Sequence, residues 1–258
     1  MRRSRKRITL FILLVFVIVG FLWAKAQYVI PIAMYHRIDD KAALSKLSVT
    51  PGSFRSHMEF LKRHNYNVVH LADLPDMIGR GNIPHKTIAI TFDDGYENNY
   101  LNAYPVLKEL DLPATIFISP GLIGQDEYLT WDQVVEMSES GVITIGSHSM
   151  THRHLPSITE HRLDIEIFDS KRAIESHIRK EVNTFSYPIG GFNEHVQDKV
   201  RKAGYEIAVA TNPGKNYPKH DLFAMKRVRI SRTSDNLLAF WIETSGFYTW
   251  IKEHRDED

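Results

Sequence analysis

The sequence predicts an α/β domain on a mainly parallel sheet with helices outside it, preceded by one N-terminal hydrophobic helix. Three observations predict it. Short β-branched or aromatic runs alternate with amphipathic runs from residue 29 to residue 241. Gly and Pro punctuate the joins, as at Pro84, Gly95, Pro113, Gly141 and Gly204. The first 26 residues join a basic cluster to an uncharged apolar run. Alternating strands and helices need crossover connections, which lay helices over a parallel sheet. Pattern alone does not separate a closed barrel from an open doubly wound sheet.

The N-terminus reads as a targeting element. Arg2, Arg3, Arg5, Lys6 and Arg7 precede residues 8–23, ITLFILLVFVIVGFLW, which carry no charge. A span needs roughly 20 apolar residues, and Lys25 could snorkel to complete this one. By the positive-inside rule the basic cluster stays in the cytoplasm and residues 27–258 face outward. The expected location is therefore the cell membrane, single-pass. The rival reading is a signal peptide cut at Ala24-Lys25-Ala26, which would release the body. Either way residues 1–26 are a targeting unit and 27–258 one folded domain.

Strand candidates follow in order: 29–35 (VIPIAMY), 66–70 (YNVVH), 87–92 (TIAITF), 114–118 (ATIFI), 142–147 (VITIGS), 183–187 (NTFSY), 205–210 (YEIAVA) and 226–230 (KRVRI). Their length and β-branched content set them apart from helices. Helix candidates lie between them, over 51–64, 101–110, 131–140, 159–179, 194–203 and 235–241. The first places Phe54, Met58 and Leu61 on one face, and the second Tyr104, Leu107 and Leu110. Residues 37–50 read as a polar loop. No internal repeat stands out.

Composition excludes several functions. There is no cysteine, so disulfides, thiolate metal sites, cysteine nucleophiles and lipoprotein anchors are ruled out. Removing the five N-terminal basic residues from 32 leaves 27 against 31 acidic ones, a net of −4. A mildly acidic body argues against nucleic acid as a partner.

Reactive residues gather at strand C-termini. His36 follows the first strand, Asp93 and Asp94 the third, His148 the fifth and Pro188 the sixth. In parallel α/β folds these ends share one face, where sites are built. Two adjacent carboxyls can share a site only if the strand ends there, and Gly95 supplies the break; Asp-Gly is also a common turn. His148 and His152 are four apart, a spacing that puts both imidazoles on one side of a helical turn. Two ordinary surface histidines are the bland reading in a chain with 13. One Asp and two His make a typical catalytic zinc set with a position left for water. Such ligands also admit Co2+, Ni2+ or Fe2+.

With these motifs the sequence resembles the polysaccharide deacetylases of carbohydrate esterase family 4. Thr91-Phe92-Asp93-Asp94-Gly95 matches the family's TFDDG, and His148-Ser149-Met150-Thr151-His152 its H-[ST]-x-x-H. The resemblance implies a distorted (β/α)7 barrel. It implies Asp93 as general base, and Asp94, His148 and His152 as ligands of a divalent metal, zinc foremost. The third motif, usually R-x-P-[FY], reads Ser186-Tyr187-Pro188-Ile189 here, without the arginine. Its Tyr-Pro-x-Gly form looks like the branch of biofilm poly-N-acetylglucosamine deacetylases, with the Tyr187 backbone N–H serving the oxyanion. The family's late histidine is missing. That branch has a permuted order and takes its acid from an N-terminal Tyr-His, which Tyr35-His36 matches; His36 is then the acid. The arginine that orients the base falls to Arg227 or Arg229, which alternation puts on one face, with Arg227 preferred.

Tyr96, Trp131, Pro188 and Phe192, with Tyr128, are expected near the rim as substrate contacts, although Trp131 also reads as a helix-start core residue. The expected partner is an N-acetylated polysaccharide, and the expected reaction is metal-dependent hydrolysis of its N-acetyl groups, releasing acetate. The permuted layout leans towards poly-N-acetylglucosamine over peptidoglycan or chitin. The rivals are an O-acetyl esterase or small-amide hydrolase on the same scaffold, and a non-catalytic sugar-binding protein.

Overall fold

The computed structural model describes residues 2–40, 47–81, 83–211, 217–218 and 221–255, with the side chains of 1–10, 21, 24, 26 and 254–258 outside the description. Among the described residues eleven strands run in chain order: β1 Ile32–Tyr35, β2 Arg37–Ile38, β3 Ser48–Val49, β4 Asn67–Val69, β5 Thr87–Phe92, β6 Ala114–Ile118, β7 Ile143–Ser147, β8 Thr184–Ser186, β9 Ile207–Ala210, β10 Met225–Lys226 and β11 Val228–Arg229. The main sheet is ordered β10-β9-β8-β7-β6-β5-β1-β11, with β4 added beside β5. Its ladders are all parallel. Parallel neighbours leave helices on the outer face, so both faces of the strands are buried, as the all-buried β5 shows.

The two ends of the path are halves of one segment. β10 pairs with β9, and β11 pairs with β1. A strand broken at Arg227 thus closes the sheet into a nearly complete barrel. The path has eight names; counting the broken strand once leaves seven positions. This is the distorted (β/α)7 barrel that the sequence implied, and the break is the distortion.

Alternation sorts the side chains. Ile32, Ala89, Phe117, Ile207, Val209 and Met225 form an inner cluster. Their neighbours Ala33, Ile90, Ile116, Phe185 and Ala208 pack outward with helix residues such as Phe54, Leu107 and Val134. Phe117 fills the lumen so closely that a Cβ on Gly146 would lie 2.5 Å from its ring and from Thr184 Oγ1. The period-2 rule then aims His36, Asp93, His148 and Ser186 into the barrel at its C-terminal mouth.

Local chemistry fixes the outer helices. Thr50 Oγ1 accepts the Ser53 N–H to start the helix Pro51–Arg63. Thr130 and Gln133 form a capping box for Trp131–Glu139, and Asn193 caps Glu194–Lys202. The helix expected over 159–179 is three pieces, with a π-turn, Ile165–Asp169, in the middle. A second π-turn, Asn99–Ala103, precedes the helix Tyr104–Leu110. Of the polar loop expected over 37–50, residues 41–46 lie outside the described residues, and its flanks pair as β2 and β3.

Residues Arg2–Gln27 form one helix, whose Trp23 meets Trp250 edge to face at 5.4 Å. The basic cluster at 2–7 lies outside the described side chains. Among the described residues no helix is long and apolar enough to cross a membrane. The single-pass location expected from residues 8–23 is therefore corrected, and with it the membrane as a partner.

Candidate active site

Five strand ends supply the cluster at the barrel mouth. β5 delivers Asp93 and Asp94, and the chain then leaves the strand through left-handed backbone, φ 73° at Asp94 and 71° at Gly95. Gly95 provides the expected break, and Asp94 shares it. Beyond the strand the carboxyl of Asp94 no longer follows the alternation, so it can join Asp93 at the mouth.

β7 delivers His148. The segment His148–His152 is not the helical turn that its spacing suggested. Ser149 and His152 have φ of 62° and 57°, and His152 N–H bonds to Ser149 Oγ at 3.1 Å. The imidazoles nonetheless converge. His148 Nε2 lies 3.5 Å and His152 Nε2 3.2 Å from Asp94 Oδ1. One donor atom from each of Asp94, His148 and His152 falls within 4.8 Å of the others. His148 Nδ1 is 2.7 Å from the Ser186 carbonyl. A carbonyl only accepts, so Nδ1 carries the proton and Nε2 turns its lone pair to the cluster. That is the way metal-binding histidines are held. The residues fit a divalent cation: two imidazoles and a carboxylate aimed at one point.

Asp93 has other company. It is 3% exposed, and Arg227 grips it with two bonds, Nη1–Oδ1 and Nη2–Oδ2, each 2.7 Å. Burial by itself would raise this carboxyl, but Arg227 and then His148 hold it below its ordinary value. Burial likewise opposes the Asp94 charge, and the facing imidazoles of His148 and His152 hold it far below the usual carboxylate range. Burial lowers His148, while Asp93 and Asp94 outweigh it and raise the imidazole. Asp93 Oδ2 stands 3.8 Å from His148 Nε2, facing the ligand cluster.

Of the two candidate arginines, Arg227 is the one that reaches Asp93. It is buried, and Arg229 is exposed. The strand break between β10 and β11 ends the alternation that would have put both on one face. Arg227 also donates to Ser186 Oγ at 3.0 Å and to Thr91 Oγ1 at 3.3 Å. Ser186 stands where the family's third motif usually has its arginine. Its small side chain leaves room for a guanidinium arriving from the last strand. Sequence reasoning noted the missing arginine and missed Ser186 as its complement.

His36 follows β1, and its Nδ1 is buried without a partner among the described residues. Burial lowers its pKa, and Asp93 and Asp94 pull against that.

The aromatic expectations fare less well. Trp131 stacks flat on His177, 3.7 Å between centroids and 6° between planes. Its ring joins two outer helices. The Tyr96 ring is covered by the Arg37 guanidinium at 3.8 Å and stacks on Tyr128 at 5.3 Å. Burial and the nearby Asp94 push its phenol up to about 12. Phe192 stacks on Tyr187 at 4.7 Å, and Pro188 is buried. Tyr187 itself points outward, its hydroxyl donating to the Phe223 carbonyl. Its N–H donates to the Val209 carbonyl at 3.1 Å, continuing the sheet by one bond. That commits the amide expected to serve the oxyanion. In the next turn the Gly190 and Gly191 amides bond back to Tyr187 and Pro188. Among the described residues the Ile189 N–H makes no such bond, and Ile189 is exposed with φ 58°. Left-handed backbone at a β-branched residue is rare and concentrates at functional sites.

Known proteins match this arrangement. The polysaccharide deacetylase family model matches residues 80–208. The chain belongs to the polysaccharide deacetylase family. It is 36% identical over 203 residues to YxkH of Bacillus subtilis, covering 78% of this chain and 71% of YxkH. It is 24% identical over 212 residues to the poly-β-1,6-N-acetyl-D-glucosamine N-deacetylase of Staphylococcus aureus, covering 77% and 73%. The Streptococcus pyogenes deacetylase PplD, solved in complex with acetate, superposes with a TM-score of 0.75 at 27% identity, over 81% of this chain and 96% of PplD. Members of the family are hydrolases, and their deacetylases are metalloenzymes acting on N-acetylated polysaccharides.

Proposed function

We propose that this chain hydrolyses N-acetyl groups of a β-1,6-linked N-acetylglucosamine polymer and releases acetate, with a divalent metal, zinc foremost, as cofactor. The observation that carries the reading is the grouping of Asp94, His148 and His152 beside an Asp93 already occupied by Arg227. One carboxyl is left to bind an ion and the other to handle a proton. The Staphylococcus relative supplies the linkage, and acetate beside the Streptococcus enzyme is the product expected.

Zinc held by Asp94, His148 and His152 would supply Lewis-acid polarisation and a more acidic water, whose pKa falls from 15.7 towards about 7. The chain's own residues do the rest. Asp93, kept ionised by Arg227, takes a proton from the water that attacks the acetamide carbon. Arg227 keeps both oxygens of Asp93 oriented, so the base needs no rearrangement. The oxyanion is met by the Ile189 N–H, because the Tyr187 amide is spent on the sheet; one such donor contributes about 3–4 kcal/mol. His36 protonates the departing nitrogen, since an amide anion is too poor a leaving group at neutral pH. The products are acetate and a glucosamine unit.

The test is acetate release from poly-β-1,6-N-acetylglucosamine, peptidoglycan, chitin oligomers and a simple acetyl ester, with and without a chelator. The reading expects the first polymer to be the best substrate and chelation to stop the reaction. Ester hydrolysis without amide hydrolysis would replace it with an esterase.

A further inference from the structure

The loop between the two candidate metal-binding histidines is gripped by one buried side chain, Glu166, while the Gly121 N–H holds the Met150 carbonyl at 2.9 Å. Glu166 is fully buried, inside the π-turn Ile165–Asp169. Such turns within longer helices recur at functional sites. Its Oε2 accepts the Thr151 N–H at 2.7 Å, and its Oε1 accepts the Thr151 hydroxyl at 2.6 Å. Its backbone carbonyl accepts the Met150 N–H at 3.0 Å. Arg162 Nε donates to the same carboxylate at 3.1 Å, and its Nη2 reaches Thr151 Oγ1 at 3.2 Å. Two consecutive residues between His148 and His152 therefore hang from Glu166.

The two histidines are not equally secured. His148 extends β7, its N–H bonded to the Ile118 carbonyl at 2.8 Å and its Nδ1 to the Ser186 carbonyl. His152 lies beyond a turn with left-handed residues at both 149 and 152, which no helix or strand ladder supports. Thr151, its immediate neighbour, is bonded to Glu166 and Arg162 outside the turn, whereas the His152 N–H bonds within it, to Ser149 Oγ. Tight binding of an ion requires its ligands to be in place beforehand, and the groups behind the ligands do that.

We propose that Glu166 is a positioning residue for the metal, fixing Thr151 so that the His152 imidazole meets Asp94 and His148. This rests on the metal reading of the site given above. Zinc affinity, measured by chelator competition, tests it alongside thermal melting of the metal-free protein. Glu166→Gln keeps the volume but loses one of the two acceptor oxygens. It should weaken zinc binding about 10- to 100-fold, the usual effect of removing support behind a ligand, while the metal-free protein still melts cooperatively. Thr151→Val keeps the shape and removes the hydroxyl alone; it should weaken zinc about 3- to 10-fold and decides the matter if Glu166→Gln does not fold. Wild-type affinity in either folded variant, with Asp94→Ala unable to bind, would overturn the role of Glu166 and leave the metal site standing. Wild-type zinc affinity in Asp94→Ala would overturn both.

Discussion

Between Asp93 and Asp94 the backbone passes from extended to left-handed, and the two carboxyls acquire different neighbours. Arg227 takes both oxygens of one, while two imidazoles face the other. Asp93→Asn and His36→Ala should therefore each keep zinc and lower turnover by about 10²- to 10⁴-fold, the range for a general base or acid. Acetate release by the zinc-loaded variants measures this, and full activity in either contradicts the role of that residue. Arg227→Lys retains a charge but not the two-pronged grip. Less support for the ionised form raises the Asp93 pKa, so the acid limb of the kcat/KM profile should move to higher pH; an unmoved limb contradicts the pairing. Much of this cluster was legible. Asp93, Asp94, His148, His152 and His36 follow β-branched runs, and the end of such a run can be read from sequence. The surroundings of Trp131 and Tyr96 could not be read, because His177 and Arg37 arrive from other segments. The bond of the Tyr187 amide to Val209 agrees with the strand expected over 183–187, which already included that residue.

At the scale of elements, β5 and β6 have the bounds that their sequence announced. Continuous β-branched runs ended by Asp-Asp-Gly or opened after Pro leave little choice. The broken strand at Arg227 was read as one continuous strand, since its break comes from pairing with different neighbours on its two halves. The π-turns carry no local signal, and one of them holds Glu166. The helix Pro51–Arg63 holds a further buried imidazole, His57, stacked on Phe240 at 4.1 Å. His57 Nε2 donates to the Ser234 carbonyl at 2.8 Å, so Nδ1 accepts the Tyr35 hydroxyl at 3.1 Å. Burial lowers its pKa to about 4 from 6.5. The unfolded chain binds this proton below about pH 6.5 and the folded one resists it. The stability is thus complete above pH 6.5 and is lost as pH falls towards 4. Wild type should lose about 2–3 kcal/mol more than His57→Gln between pH 7 and 4.5, as measured by denaturant unfolding. Equal losses would contradict the burial of a neutral imidazole there.

For the molecule as a whole, closure of the barrel and assembly of the site are one event. The strand that joins β9 to β1 is the strand that brings Arg227 to Asp93. Alternation of strands and helices predicted the parallel sheet, but not whether it closes, because closure depends on five residues from Met225 to Arg229. The N-terminal run misled more: its hydropathy read as a span, while the structure shows no helix among the described residues that is long and apolar enough to cross a membrane. What remains is a barrel whose mouth sets one carboxyl among imidazoles and the other against an arginine, the division on which the proposed function rests. A crystal structure of the zinc-loaded protein, with anomalous scattering to locate the ion, tests that division most directly. It should show one zinc about 2.0–2.2 Å from Asp94, His148 and His152, with Asp93 still paired to Arg227. Zinc bound by Asp93, or bound away from these histidines, would contradict the account.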